Sequence, residues 1–325
     1  FCFEKISDLL ALKLHETTLN IDLGAIVKNL KHYRSFMKPE TKMVCMVKAS
    51  AYGSGALEVS RKLQEHGVDY LAVAVADEGV ALRKSGITAN IMVMNPEMTT
   101  FRTMFHYRLE PEVYSFRILE ALISEAEREG VTLFPIHIKI DTGMHRLGFS
   151  PAEIDKLISR LKSQNSVLPR SVFSHFVGSD RSEFDDFTAK QFNLFNDISS
   201  KLQAAFPHKI LRHICNTAGI ERFSQYHLDM VRLGIGLYGV NPINNNIINN
   251  VASLSTTILQ IHDVKAEDTV GYSRKGHLNK LSRIAAIPIG YADGLNRHLG
   301  CGSAYCLVDG KPAKYVGNIC MDVAM

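Results

Sequence analysis

The sequence contains no apolar run of about 18 residues, which excludes an ordinary membrane-spanning helix. It has no block of clustered Lys and Arg, and a net charge of +4 is only mildly basic, so no nucleic-acid partner is expected. Six cysteines (Cys2, Cys45, Cys215, Cys301, Cys306 and Cys320) form no C-x-x-C pair and are too sparse for a disulfide framework in 325 residues. Reduced thiols and a cytoplasmic location follow as expectations. No positively charged segment followed by a short apolar stretch marks a secretory signal, and no metal site is expected. The chain opens at Phe1 and stops at Met325 after a strand-like run, which reads as a piece of something longer.

At roughly 150 residues per domain, the length predicts about two domains. Eight short strand-like runs fill the first two thirds: Lys42–Lys48, Asp69–Val75, Asn90–Met94, Glu110–Val113, Phe134–Ile140, Arg170–Phe176, Ile210–Cys215 and Asp229–Leu233. Several are apolar nearly throughout, as strands covered on both faces must be. Amphipathic segments such as Ala56–His66, Phe116–Arg128 and Phe184–Ala205 lie between them. This alternation predicts an α/β fold with a closed (β/α)8 barrel. An open doubly wound sheet is disfavoured because no G-x-G-x-x-G follows an early strand.

After the Asn-rich stretch Asn244–Asn250 the helical period fades, and the runs Val251–Val264, Ser282–Ile289, Ser303–Val308 and Ala313–Ile319 predict a mostly-β second domain, incomplete at its C-terminus. Asp309-Gly310 is a hairpin signal. Thr18–Leu23 is surplus to the eight barrel strands and is expected to pair with the β region. The division expected is 1–16 as a preceding tail, 17–245 as the barrel and 246–325 as the β domain.

Lys48 ends a buried strand and precedes the turn Ala49-Ser50-Ala51-Tyr52-Gly53-Ser54-Gly55. C-terminal strand ends face the active site of such a barrel. A lysine there, against apolar neighbours, suits Schiff-base chemistry, although the same residue could simply cap a strand. The segment Val47–Gly55 resembles the pyridoxal-phosphate motif of the alanine racemases. Further matches follow in order: Lys139-Ile140-Asp141-Thr142-Gly143-Met144-His145-Arg146-Leu147-Gly148, Phe173-Ser174-His175-Phe176, Asn216-Thr217-Ala218, Val231–Gly239, Gly271-Tyr272-Ser273, Ile289–Gly294 and Gly317–Asp322. The resemblance covers about residues 17–325. Ser50 and Ser54 stand where the family usually has Asn and His, and His145 where it usually has Gly; none of these changes removes a proposed catalytic group.

The resemblance implies interconversion of L- and D-alanine, a small amino-acid substrate, by a two-base mechanism that supplies D-alanine for peptidoglycan. It implies that Lys48 forms the imine with pyridoxal 5'-phosphate and is one base, and that Tyr272 is the other. His175 and Arg232 match the network joining Tyr272 to the cofactor ring, with Arg232 against the pyridine nitrogen. A guanidinium keeps its proton, which leaves that nitrogen largely unprotonated. Tyr52, Asn216, Thr217, Gly234 and Ile235 match the cofactor-binding set, although Asn216-Thr217 alone reads as an ordinary helix cap. Arg146, Tyr291 and Met321 match substrate-site residues. Lys139, buried in the barrel by its strand position, matches a lysine that is carbamylated in several members and then holds Arg146 as an anion. A homodimer with shared active sites is implied. Phe1–Leu10 resembles the tail of a Mur ligase, which some bacteria fuse to an alanine racemase. A racemase of another small amino acid such as serine, a two-domain decarboxylase and a single-barrel non-catalytic cofactor carrier remain as alternatives.

Overall fold

A computed structural model describes residues 17–325, so the ligase-like segment and the rest of the 1–16 stretch lie outside the described residues. The chain divides into two compact units, Ile21–Val251 and Ala252–Met325, the latter taking in the described residues 17–20. Strand β1 (Thr18–Ile21) belongs with the second. The first unit contains β2 (Lys42–Met46), β3 (Tyr70–Val73), β4 (Asn90–Val93), β5 (Leu109–Val113), β6 (Phe134–Lys139), β7 (Val167–Phe173), β8 (Leu211–His213) and β9 (Met230–Leu233). They form one sheet in the order β8-β7-β6-β5-β4-β3-β2-β9, every registered pair parallel. The sheet closes on itself where Asp229 N–H donates to Arg212 O at 3.1 Å and Arg232 N–H to Cys215 O at 3.0 Å. The eight expected strands are the eight observed, and the barrel is the predicted one.

Strand side chains alternate between two environments, because the side-chain period of a strand is two. On β2 and the residue that follows it, Met43, Cys45 and Val47 face the helical layer and join the main core, whereas Val44 and Met46 point into the barrel with Tyr70, Ala72, Met92 and Met230. The helices form where apolar residues recur on one face. In Leu23–Arg34 the buried residues are Ala25, Ile26, Asn29, Leu30 and Tyr33, and the Asp22 carboxylate caps the start by accepting from Ala25 N–H at 3.0 Å. The Asn-rich stretch is a loop bonded to the barrel unit, with Asn249 Nδ2 donating to Asn29 Oδ1 at 3.0 Å.

The second unit is built of antiparallel pairs. β1 pairs with β10 (Ala252–Ser255), as expected of the surplus strand. The run Val251–Val264 is not one strand: β11 (Gln260–Val264) breaks from β10 and pairs with β14 (Ser282–Ala286). Leu259 N–H donates to Ala286 O at 2.8 Å, so the chain has changed partners before β11 begins. β12 (Thr269–Val270) pairs with β13 (Gly276–His277), and β15 (Tyr305–Val308) with β16 (Lys311–Lys314). The last hairpin turns at Asp309 and Gly310, whose φ values of +49° and +75° are both positive, as a type I′ turn requires. Ile287, Ile289, Ile319 and Ala324 form the unit's small core.

Candidate active site

The C-terminal ends of the barrel strands surround a cavity of about 460 Å³, and every barrel-unit residue named above as a site candidate lines it. Lys48 stands at its rim, half-buried, directly after β2. Residues Ala49, Ser50, Ala51 and Tyr52 all have φ between +51° and +56°, one turn of left-handed backbone made without glycine. L-residues pay roughly 1–2 kcal/mol each for that geometry. The Glu78 carboxylate pins the start of the turn, accepting from Ala49 N–H at 2.6 Å and Ala74 N–H at 2.7 Å. Tyr52 is thereby stacked on Tyr238, ring centroids 4.5 Å apart, and Tyr238 donates to Met46 O at 2.7 Å. Burial raises the Tyr52 phenol, so its hydroxyl stays a donor.

Tyr52, Thr217 and Gly234 converge. A Cβ placed on Gly234 would lie 3.3 Å from the Tyr52 hydroxyl and 3.7 Å from Thr217 Oγ1, so the missing side chain leaves room between these groups. Gly234 N–H donates to Thr217 Oγ1 at 3.0 Å. Thr217 Oγ1 accepts from that amide, so its own hydrogen is free to be donated, and with the Tyr52 hydroxyl beside a bare Cα it forms a donor pair suited to a phosphate group. Asn216 lines the same cavity; its Oδ1 accepts from Gly219 N–H at 3.0 Å and from Ser179 Oγ at 2.8 Å, so it is also the helix cap that its sequence context allows.

Arg232 is fully enclosed, 3% exposed, on β9. It donates to His213 Nδ1 at 2.7 Å, to His175 Nδ1 at 3.2 Å, and to the carbonyls of Ser174 and Ile214. Burial lowers its guanidinium to about 10, which leaves it charged near neutral pH. Burial, then the Arg232 charge, hold His175 and His213 well below the usual imidazole range, and both are neutral. Phe173 is the platform of this cluster. Its ring stacks on His213 at 4.8 Å and faces the Lys139 ammonium at 4.4 Å and the Arg232 guanidinium at 5.1 Å. Arg146 lines the cavity at its exposed edge.

Lys139 is buried, as its strand position predicts, and shares the cavity with a carboxyl group that the sequence pattern does not single out. Glu112, 2% exposed on the neighbouring β5, lines the same cavity. Burial raises its carboxyl while the charges of Lys139, Arg232, Arg146 and Lys48 oppose the rise; burial lowers Lys139 while Glu112 opposes the fall. Glu112 thus sets a carboxyl among four basic side chains, whose charges favour its ionised form against the burial that disfavours it. Its signal was the spacing of Glu110 and Glu112, two residues apart in an otherwise apolar strand.

The remaining candidates lie in the second unit and are exposed: Tyr272 at 67%, Met321 at 53% and Tyr291 at 41%. Tyr291 and Met321 sit on adjoining segments, because Tyr291 N–H donates to Cys320 O and Ala292 N–H to Met321 O, both at 3.0 Å. Asn318 Nδ2 holds the Tyr272 carbonyl at 3.1 Å. Among the described residues no group of His, Cys, Asp and Glu is arranged to hold a metal ion, and no helix is long and apolar enough to cross a membrane.

Comparison with known proteins agrees with this architecture. The family model described as alanine racemase, N-terminal domain, matches residues 21–242, and that described as alanine racemase, C-terminal domain, matches residues 251–325. The chain is 37% identical over 314 residues to an alanine racemase of Clostridium tetani, covering 94% of this chain and 80% of the relative. It is 34% identical over 324 residues to alanine racemase 2 of Caldanaerobacter subterraneus, covering 96% and 81%. A solved alanine racemase of Clostridium difficile superposes with a TM-score of 0.89 at 31% identity, covering 95% of this chain and 82% of that one. The alanine racemase of Bartonella henselae, solved with covalently bound pyridoxal phosphate, superposes with a TM-score of 0.85 at 27% identity, covering 95% and 85%. The match of the second family model to the β unit also removes the single-barrel carrier from consideration. With a barrel, a β unit and a cationic cavity behind Lys48 all in the family's order, the chain belongs to the alanine racemase family.

Proposed function

We propose that the protein interconverts L- and D-alanine with pyridoxal 5'-phosphate, using Lys48 and Tyr272 as its two bases. The observation that carries this reading is the single cavity holding a rim lysine, a phosphate-type donor set and a buried guanidinium. The residues fit the cofactor: Tyr52, Thr217, Gly234 and Ile235 would hold its phosphate, Arg232 its ring nitrogen and Lys48 its aldehyde carbon. When bound, the cofactor draws electron density from the substrate and makes its Cα–H acidic.

The chain's own groups then have defined tasks. Lys48 Nζ takes or returns a proton on one face of Cα, and the Tyr272 phenol does so on the other. Arg232 keeps its protons and presents positive charge without titrating. Neutral His175 accepts from Arg232 at Nδ1, which leaves its Nε2–H as a donor into the cavity. Arg146 binds the substrate carboxylate, and Glu112 or a carbamate on Lys139 provides the negative charge that holds Arg146. Tyr291 and Met321 complete the substrate site.

The exposure of all three β-unit candidates supports a homodimer in which each site takes these residues from the partner. D-alanine made in this way would serve peptidoglycan synthesis. The free thiols of Cys45, Cys215, Cys301, Cys306 and Cys320 fit a cytoplasmic enzyme.

Incubation of the full-length protein with L-alanine and cofactor tests the activity through formation of D-alanine; none would overturn the reading. Mixing Lys48→Ala with Tyr272→Phe chains tests the shared site. Random pairing leaves about a quarter of sites with both bases, so activity should return to roughly that fraction. A mixture that exchanges subunits yet stays inactive would place both bases in one chain.

A further inference from the structure

Arg232 is also one end of a hydrogen-bonded chain that the activity does not call for. His213 Nδ1 is 2.7 Å from Arg232 Nη1, and His213 Nε2 is 3.1 Å from Ser171 Oγ. Ser171 Oγ is 2.7 Å from His137 Nδ1, and His137 Nε2 is 2.9 Å from Glu110 Oε2. Tyr70 donates its hydroxyl to the same Glu110 oxygen at 3.2 Å. His213, His137 and Ser171 are all 0% exposed. Glu110 lines a second cavity, of about 640 Å³, with Asn90, Phe134 and Pro135 from the N-terminal ends of β4 and β6. The chain thus runs through the barrel from the mouth opposite the active site.

Donor and acceptor chemistry gives every link one direction. A guanidinium only donates, so His213 accepts at Nδ1 and a neutral imidazole must carry its proton on Nε2. That proton is donated to Ser171 Oγ. The Ser171 hydroxyl has one hydrogen, and His137 Nδ1 is the partner left for it; a buried hydroxyl without an acceptor would be costly. His137 then carries its proton on Nε2 and donates it to the Glu110 carboxylate. All four bonds point from the cation to the anion, an arrangement in which each bond polarises the next.

We propose that Glu110, His137, Ser171 and His213 act as a one-directional hydrogen-bond chain that fixes the orientation of Arg232 and carries the influence of a remote carboxylate to it. This makes Glu110 a positioning residue for the active site, reached from the far end of the barrel. The proposal rests on the racemase reading for the role of Arg232, but the chain itself does not.

Two experiments test it. Long-range proton–nitrogen NMR of the histidine-labelled protein at neutral pH should find both His137 and His213 neutral with the proton on Nε2. An imidazolium, or an Nδ1 proton on either ring, overturns the direction and with it the proposal. In the cofactor-loaded protein, Ser171→Ala cuts the chain, and Glu110→Gln keeps an acceptor for His137 while removing the charge. Each should lower kcat by about 3- to 10-fold with KM for alanine little changed, and shift the visible absorption of the bound cofactor the same way. Ser171→Thr, which restores the hydroxyl, should recover both. Unmoved absorption and kcat in Ser171→Ala, or a Thr variant no better than Ala, would overturn the proposal. If a variant fails to fold, the NMR result on the native protein decides. Absence of racemisation by the native protein would remove the racemase reading and leave the NMR and absorption results to judge the chain.

Discussion

The two halves of the barrel interior are built on opposite principles. Toward β2, β3 and β4 the inward residues are Val44, Met46, Tyr70, Ala72 and Met92, a conventional apolar filling. From β5 to β9 they include Glu110, Glu112, His137, Lys139, Ser171, His213 and Arg232, all buried. The first half stabilises by keeping apolar surface from water. The second carries groups whose burial is costly unless they find partners; hydrogen bonds supply these for Glu110, His137, Ser171, His213 and Arg232, and the Phe173 ring faces Lys139. Tyr70 lies on the border and serves both, its ring among the apolar residues and its hydroxyl on Glu110. Stability and chemistry are thus divided by strand, with Lys48 set at the rim of the apolar side.

Substitutions can break or sharpen that division. The largest effect belongs to Lys48→Ala, which should reduce racemisation by at least about a thousandfold and leave no cofactor fixed to the protein after borohydride treatment. Retention of both would show that the polar half suffices. Next, Arg232→Lys exchanges a planar fork for a point charge and cannot keep the bonds to both His213 and His175; kcat should fall by about a hundredfold. Wild-type kinetics would mean that only the charge matters.

On the apolar side, Met92→Ala should cost about 2–5 kcal/mol in denaturant unfolding while the folded enzyme keeps near-normal kcat. A kcat loss larger than the stability loss would argue that the halves are coupled. The smallest effect is in pH. His175 and His213 bind a proton less readily when folded than when unfolded, so the unfolded state takes up more protons as pH falls through about 6.5 and stability drops. Each contributes up to about 1.4 kcal/mol per pH unit below that point. Glu112, raised by burial, acts with the opposite sign, and Lys139, lowered by burial, with the same sign, so the histidine part is read as the slope lost in His213→Asn; an unchanged profile there would mean that His213 is not held neutral.

Much of this is legible in the sequence. Eight short strand-like runs separated by helical segments specify the barrel, because strands covered on both faces are rich in apolar residues on each. Lys48 and Arg232 stood out as charges next to or within such runs. Glu112, His137 and His213 did not, because a lone polar residue in a buried strand looks like an exception. Reading positions two apart reveals them: Glu110 and Glu112 share a face of β5, and His137 and Lys139 share a face of β6. The break between β10 and β11 was not legible, since a change of partner leaves no mark in an alternating pattern. The capping role of Asn216 was legible, since Asn followed by Thr at the start of a helical segment reads as an ordinary N-cap.

The left-handed turn after Lys48 has a consequence for how this sequence can drift. At Ala49, Ser50 and Ala51 the usual ranking of substitutions is inverted. Glycine, which weakens an ordinary helix, would relieve the backbone here and be accepted, while valine, isoleucine or threonine would be rejected whatever space surrounds them. Small residues at these positions are therefore retained for handedness as much as for any contact with a ligand, and Glu78, remote in sequence, is tied to the same constraint through the amides of Ala49 and Ala74. Mutational tolerance at the mouth of this barrel is set by the mirror image of the rule that governs the helices around it.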